Sequence, residues 1–591
     1  MATSRAKRAL ILGSAALALG AAAVAQQQER PESLLPPGFG DPAPAPAPSP
    51  TPAPATGGAP AAPRPAATGP AGELPPLPPL PFPSPTASPT ATPTPRYELP
   101  SFARRSLAQV GANDDFAADA FGAADGRYVE TLMRRLSAPL PSRWLSIALR
   151  RLLVARTNTP AGINGADFAA ERAWLLLRMG ESVSARAVAQ AVDGDRITPK
   201  LRQVWMQAAL ANADPGALCP LAPAAGNSER AWTVARAMCA GLTGAGSTRP
   251  MIADIRRRRV ASGIDLQLAQ KVMGAGVNSR QAITIDWTPV GELTAWRFGL
   301  ATATGVVVPD ELYGSVGPQV TAWRALSPAI PLAERAAPAE AAAAMGVLSN
   351  AALVDLYAAL GDGDDTPAAL GSVANHLRDA YTAGDRAGRL AAMEQLWDGG
   401  QTAAARYARL VLTARAAARL AVADNVEQAD GLVASMLSAG LDRTAARWQG
   451  KVRSGGDGWA MLLLADPDAV GRVSLSTVTD YAPQGSAAER KRQLFFAAMA
   501  GLGRLARGDI EDGAERLDVR IGAENGWTRA IDRAARDRQP GTVVLLSAIG
   551  MQAGSWGGVP PAALYRIVSA LRAVGLDGEA RMIAAEALAR T

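Results

Sequence analysis

The stretch Pro561–Ala589, PAALYRIVSALRAVGLDGEARMIAAEALA, decides how the rest of the chain is read. Leu564, Ile567, Val568 and Leu571 fall at i, i+3, i+4 and i+7, the apolar stripe of an amphipathic helix, and Gly575 ends the run. Ala580, Ala584 and Ala587 then line one face of a second helix. Glycine tolerates the positive φ of a helix C-terminus, and a small alanine five residues later lets the second helix lie close against the first. The spacing predicts two antiparallel helices.

The same step recurs at Gly180/Ala185 and Gly400/Ala405, with arginine next (Arg186, Arg406, as Arg581 follows Ala580), and in looser form at Gly440/Ala445. These pairs resemble the inter-helix turn of tetratricopeptide-type repeats. The resemblance covers the turn and part of each second helix. The tryptophan, tyrosine and terminal proline positions of that family do not return at its period of about 34 residues. It implies an all-α fold of irregular, tetratricopeptide-like hairpins stacked in a solenoid, whose curved face binds through exposed side chains. Such a repeat supplies shape and no chemistry of its own.

The bulk composition agrees. A chain of 591 residues exceeds one hydrophobic core, and 48% hydrophobic with only 5% aromatic residues makes alanine the main apolar residue, which suits close-packed helices. Net charge is +7; setting aside Arg5, Lys7 and Arg8 of the leader described next leaves +4, weakly basic for this size.

Met1–Gln26 has a basic head, an uncharged run from Ala9 to Ala25, and small residues Ala23 and Ala25 before Gln26, the three parts of a secretory signal over 1–25. About 17 apolar residues also reach the lower limit for spanning a bilayer, so an uncleaved inner-membrane anchor stays open. No cysteine follows the cleavage position, so no lipid anchor is expected there. The expected location is the periplasm or the exterior of a Gram-negative envelope, where nucleic acid is not an expected partner.

Residues 26–98 read as a disordered linker. Residues 31–100 hold 25 of the 45 prolines, so neither helix nor sheet is expected, only an extended spacer. Leu74–Phe82 adds leucines and a phenylalanine, as ligands of aromatic grooves do, although stiff linker is the plainer reading. Pro85–Pro95 resembles the Ala/Thr/Pro tracts labelled antifreeze-glycopeptide-like. That resemblance implies a glycosylated surface or ice-active protein, but the regular Ala-Ala-Thr repeat such activity needs is missing.

Amphipathic segments then run to the end: N-terminal repeats over 99–282, a loop-rich joint over 283–334 carrying Trp287, Trp296 and Trp323, and C-terminal repeats over 335–591. Ser142, Thr198-Pro199, Ser228, Ser349 and Thr366-Pro367 read as helix starts. The three tryptophans are expected to fill core rather than a ligand groove.

Cys219 and Cys239 are the two cysteines, and an even count in an oxidising compartment predicts a disulfide. Arg256–Arg259 spreads around a helix, so it reads as a solvated helix end, with contact to an anionic lipid surface or wall polymer as the alternative. Asp362-Gly363-Asp364-Asp365 lacks the alternating ligands and distal glutamate of a calcium loop. His376 is the single histidine, which excludes sites needing two. Glu181-Ser182 resembles the start of the Glu-Ser motif of lytic transglycosylases, yet the downstream Gly-Ala-x-Gly and Met-Gln elements are missing and Glu181 already occupies a repeat turn. No cofactor or metal is expected. The sequence reads as a non-catalytic exported scaffold for envelope proteins, with peptidoglycan or an anionic lipid surface as further partners; the alternative is a cell-wall enzyme or its accessory.

Overall fold

The computed structural model describes residues 100–224, 229–244, 247–276, 283–469 and 471–591. The leader, the proline tract to Glu98 and Ser228 lie outside the described residues. Pro100–Arg104 form a short 3-10 turn of their own, and Arg105–Thr591 belong to one compact unit.

That unit is all-α. Its helices are α1 (Gly126–Arg135), α2 (Arg143–Val154), α3 (Gly165–Arg178), α4 (Ser182–Gln190), α5 (Pro199–Ala211), α6 (Arg230–Leu242), α7 (Arg249–Arg257), α8 (Gly263–Gly276), α9 (Ala295–Ala303), α10 (Gln319–Leu326), α11 (Leu332–Met345), α12 (Asn350–Gly361) and α13 (Ala368–Thr382). They continue as α14 (Arg386–Asp398), α15 (Ala403–Ala418), α16 (Ala429–Ser438), α17 (Asp442–Ala446), α18 (Asp457–Ala465), α19 (Leu475–Thr479), α20 (Ala488–Gly501), α21 (Arg507–Arg516), α22 (Gly526–Arg536), α23 (Pro540–Gly550), α24 (Pro561–Ala573) and α25 (Asp577–Arg590). The single ladder among the described residues is β1 (Gln109–Val110) against β2 (Thr157–Asn158), antiparallel with Gln109 opposite Asn158.

Many helices pack on the next one or next but one in the chain, as stacked hairpins require: α3 on α4, α6 on α8, α13 on α14, α15 on α16, α24 on α25; α20 on α24 and α18 on α25 are comparably extensive and span longer stretches of chain. A second set of contacts is not of that kind. α2 packs on α23, α25 and α11, and α1 packs on α23, so the first helices lie directly on the last ones. Small residues permit the close crossings; a Cβ on Gly299 of α9 would meet the Leu210 carbonyl of α5 at 2.5 Å.

Three of the predicted turns share one geometry. Gly180, Gly440 and Gly575 have φ of 87°, 77° and 84°. At each, the following N–H bonds five residues back, Glu181 to Leu176 at 2.9 Å, Leu441 to Met436 at 3.0 Å and Leu576 to Leu571 at 2.9 Å, which is the Schellman closure of a helix end. Ala185, Ala445 and Ala580, all buried, donate the first helical hydrogen bond of the next helix. Gly400 departs from this pattern. The helix ends in right-handed geometry at Gly399 (φ −68°), and Thr402 caps α15 by accepting from the Ala405 N–H at 3.0 Å. Glycine is retained at 400 for close approach, since a Cβ there would meet the Arg406 nitrogen at 2.6 Å.

A graded test follows from the surroundings. Gly575→Ala adds a methyl in open space and is expected to cost about 1 kcal/mol, the penalty of the left-handed conformation alone. Gly180→Ala places its Cβ 2.6 Å from that of Ala322 and is expected to cost about 2–3 kcal/mol. Equal losses in urea denaturation would refute the steric part.

Ser142, Thr198 and Ser349 cap their helices, accepting from the third residue on at 3.1, 3.2 and 3.1 Å. Thr366 does not: its hydroxyl donates to the Leu360 carbonyl at 2.6 Å, and Pro367 precedes α13 instead. The loop-rich stretch 283–334 contributes α9 and α10, with Trp296 and Trp323 fully buried and Trp287 half-buried against the core. Cys219 and Cys239 are disulfide-bonded, tying the 3-10 segment Pro215–Leu218 to α6.

Candidate functional site

Where the first and last helices meet, a buried polar network joins them. Glu586 of α25 caps the start of α2, accepting from the Ser142 hydroxyl at 2.6 Å and the Arg143 and Trp144 N–H groups at 2.7 and 3.1 Å. An anion is favoured there because those N–H groups lack partners within their own helix. The Arg143 guanidinium, itself buried, donates to the carbonyls of Ser438 at 3.2 Å and Leu348 at 3.0 Å and to that of Ala343. Arg590 donates to Glu586 at 3.0 Å, Pro141 at 2.7 Å and Ala344 at 3.1 Å, and lies 4.5 Å over the Tyr407 ring. Burial pushes the Tyr407 phenol well up, with Glu586 reinforcing the shift.

Beside this network opens a cleft of about 690 Å³. Its walls come from Pro141, the end of α14, α15, α16, α18, α20, Trp556 and the end of α25. Trp397 packs against the bare Cα of Gly431, where a Cβ would meet its ring at 2.6 Å, and its indole N–H donates to the Thr413 hydroxyl at 2.8 Å. Asp457 is engaged twice, by the Lys491 ammonium at 2.5 Å and the Tyr481 hydroxyl at 2.7 Å. Asp430 sits against Gly458, whose lack of a side chain makes room for it: a Cβ would meet Oδ1 at 2.4 Å. Burial raises the Asp430 pKa above the usual 3.8; the Gly458 N–H, Arg453 and Lys491 oppose the shift, while the neighbouring Asp457 adds to it. Asp398 and Arg406 stand exposed at the lip.

Because the folded protein holds the Asp430 proton more tightly than the unfolded chain, this group favours folding most at acid pH. Its contribution falls as pH rises through the folded-state value. Asp430→Asn is therefore expected to flatten the stability profile on the alkaline side of the ordinary aspartate value of about 3.9. An unchanged profile would show that Asp430 is not desolvated.

Of the residues singled out in the sequence, Arg406, which follows the Gly400/Ala405 step, lines this cleft; the candidates for chemistry lie elsewhere. Glu181 and Ser182 are buried in their turn, Glu181 bonded to Arg150 at 2.8 Å and to the Ser184 hydroxyl at 3.1 Å. Arg256–Arg259 are exposed at the end of α7, where Asp254 faces Arg257 and Arg258. Asp362–Asp365 form an exposed turn, and His376 is half-buried within α13. Among the described residues no group of acidic, histidine and cysteine side chains is arranged to hold a metal, and no helix is long and apolar enough to cross a membrane. Asp430, Asp457 and Lys491 come from three helices and carry no motif that marks them in the sequence. Comparison of the chain with family models, curated proteins and solved structures finds no match.

Proposed function

We propose that the chain is an exported helical-repeat scaffold that holds an envelope partner in the cleft of about 690 Å³ and performs no chemistry on it. The observation that carries this reading is internal pairing: Asp457 is held by Lys491 and Tyr481, and Arg590 by Glu586, so these charges are occupied by the protein itself. What remains for a partner is the half-buried Trp397 in the wall and a polar lip at Asp398 and Arg406, the mixture of aromatic anchor and polar rim that binding surfaces use. The disulfide supports an oxidising compartment.

The test is crosslinking and capture from envelope extracts with the wild-type protein and with Asp398→Arg/Arg406→Glu. The lip variant is expected to keep its melting temperature and lose the captured partner. A wild-type protein that retains nothing, or a variant that retains the same set, refutes the reading.

The second reading is an enzyme of the cell wall. Asp430, with its raised proton affinity, shares the cleft with Asp457, and two carboxyl groups in unlike surroundings are the pattern of acid and base partners on a glycan. Clearing of purified peptidoglycan that disappears in Asp430→Asn would favour the enzyme; binding without clearing favours the scaffold.

A further inference from the structure

A second hollow, of about 370 Å³, lies between α1, α22 and the start of α23, on the same seam but lined by different residues. Its donors are conspicuously unused. Arg529 and Arg533 project from successive turns of α22, and neither has a hydrogen bond or ion pair among the described residues. The nearest acid in the helix, Asp532, is taken by Arg566 at 2.5 Å. Thr542, in the first turn of α23, is 1% exposed and its hydroxyl has no partner. A buried hydroxyl without a hydrogen bond is costly, and a hydroxyl lining a hollow beside two free guanidinium groups points to a ligand that accepts from all three. The Gln539 amide and Tyr128 hydroxyl, also in the lining, have no hydrogen-bond partners either.

We propose that this hollow binds the phosphate group of a small phosphate ester. Two arginine forks and neutral donors from Thr542, Gln539 and Tyr128 exceed what the two oxygens of a carboxylate can accept, whereas a phosphomonoester offers three oxygens and close to two negative charges. Asp537 is the one acidic group in the lining. It disfavours a second phosphate and accepts a hydroxyl, so the ester's body is a polyol rather than a polyphosphate. The site is independent of the cleft proposed for the envelope partner.

Titration calorimetry on the full chain tests this with glycerol 3-phosphate, pyrophosphate and phosphatidylglycerol vesicles. Glycerol 3-phosphate is expected to bind saturably at one site and more tightly than pyrophosphate. Arg529→Gln/Arg533→Gln changes exposed side chains and is expected to weaken binding at least about tenfold, the loss of charge-assisted hydrogen bonds. Thr542→Val, nearly isosteric, is expected to weaken it about fivefold with an unchanged melting temperature. Vesicle binding without binding of the soluble ester overturns the small-ligand assignment in favour of a lipid headgroup. Absence of saturable binding at about 10 mM ester, or affinities untouched by either variant, overturns the site.

Discussion

Glu586→Ala is expected to cost roughly 3–5 kcal/mol of unfolding free energy, the range found when one partner of a buried ion pair is removed. The side chain of Glu586 is 0% exposed, and its removal takes from Arg590 its carboxylate partner and leaves the Ser142 hydroxyl and the Arg143 and Trp144 N–H groups without their acceptor. Glu586→Gln keeps an acceptor oxygen but not the charge, and is expected to lose about half as much. Urea denaturation reads both. The location sharpens the test, because Ser142 and Glu586 are 444 residues apart and the bond joins α2 to α25. Hydrogen exchange in α2 and α25 is therefore expected to accelerate before that in α12 and α13, which stack away from the seam. A loss below about 1 kcal/mol would make the network incidental.

The second large effect is expected from Cys219→Ser/Cys239→Ser. The bridge closes a separation of 20 residues, for which loop entropy gives about 3 kcal/mol. The double variant is expected to lose that much under oxidising conditions, and the wild type is expected to lose it on reduction, with mass analysis after alkylation showing two new adducts. Wild-type stability insensitive to reductant would remove the bridge as a structural element and weaken the case for an oxidising compartment.

The helical class was legible because its signals are local. Leu564 to Leu571 announce a helix whatever surrounds them, and Gly575 announces its end. The limits are equally physical. Ala213, Arg259, Asp518 and Arg538 close their helices with the same left-handed turn, φ between 48° and 52°, and with the same bond five residues back from Asp214, Val260, Val519 and Gln539. Side chains that disfavour this conformation hold it under tertiary constraint, so a search for glycine passes over them. Thr366 misled for a related reason: its hydroxyl found the Leu360 carbonyl behind it rather than the N–H groups ahead. Both hollows were beyond reach altogether. Tyr128 shares a hollow with Arg533, and Pro141 with Trp556, only because α1 and α2 lie against the last helices, and no periodicity records a pairing over hundreds of residues.

That meeting has a consequence for the order of events during biosynthesis. Helix pairs such as α3–α4 can form as soon as they are made, but α2 finds its carboxylate cap only after 444 further residues have been added. Until then the flank that will carry both hollows is exposed to chaperones and proteases. For a polypeptide secreted through a narrow pore, as proposed above, such a delay is useful: the nascent protein stays open enough to be threaded, and locks on the far side.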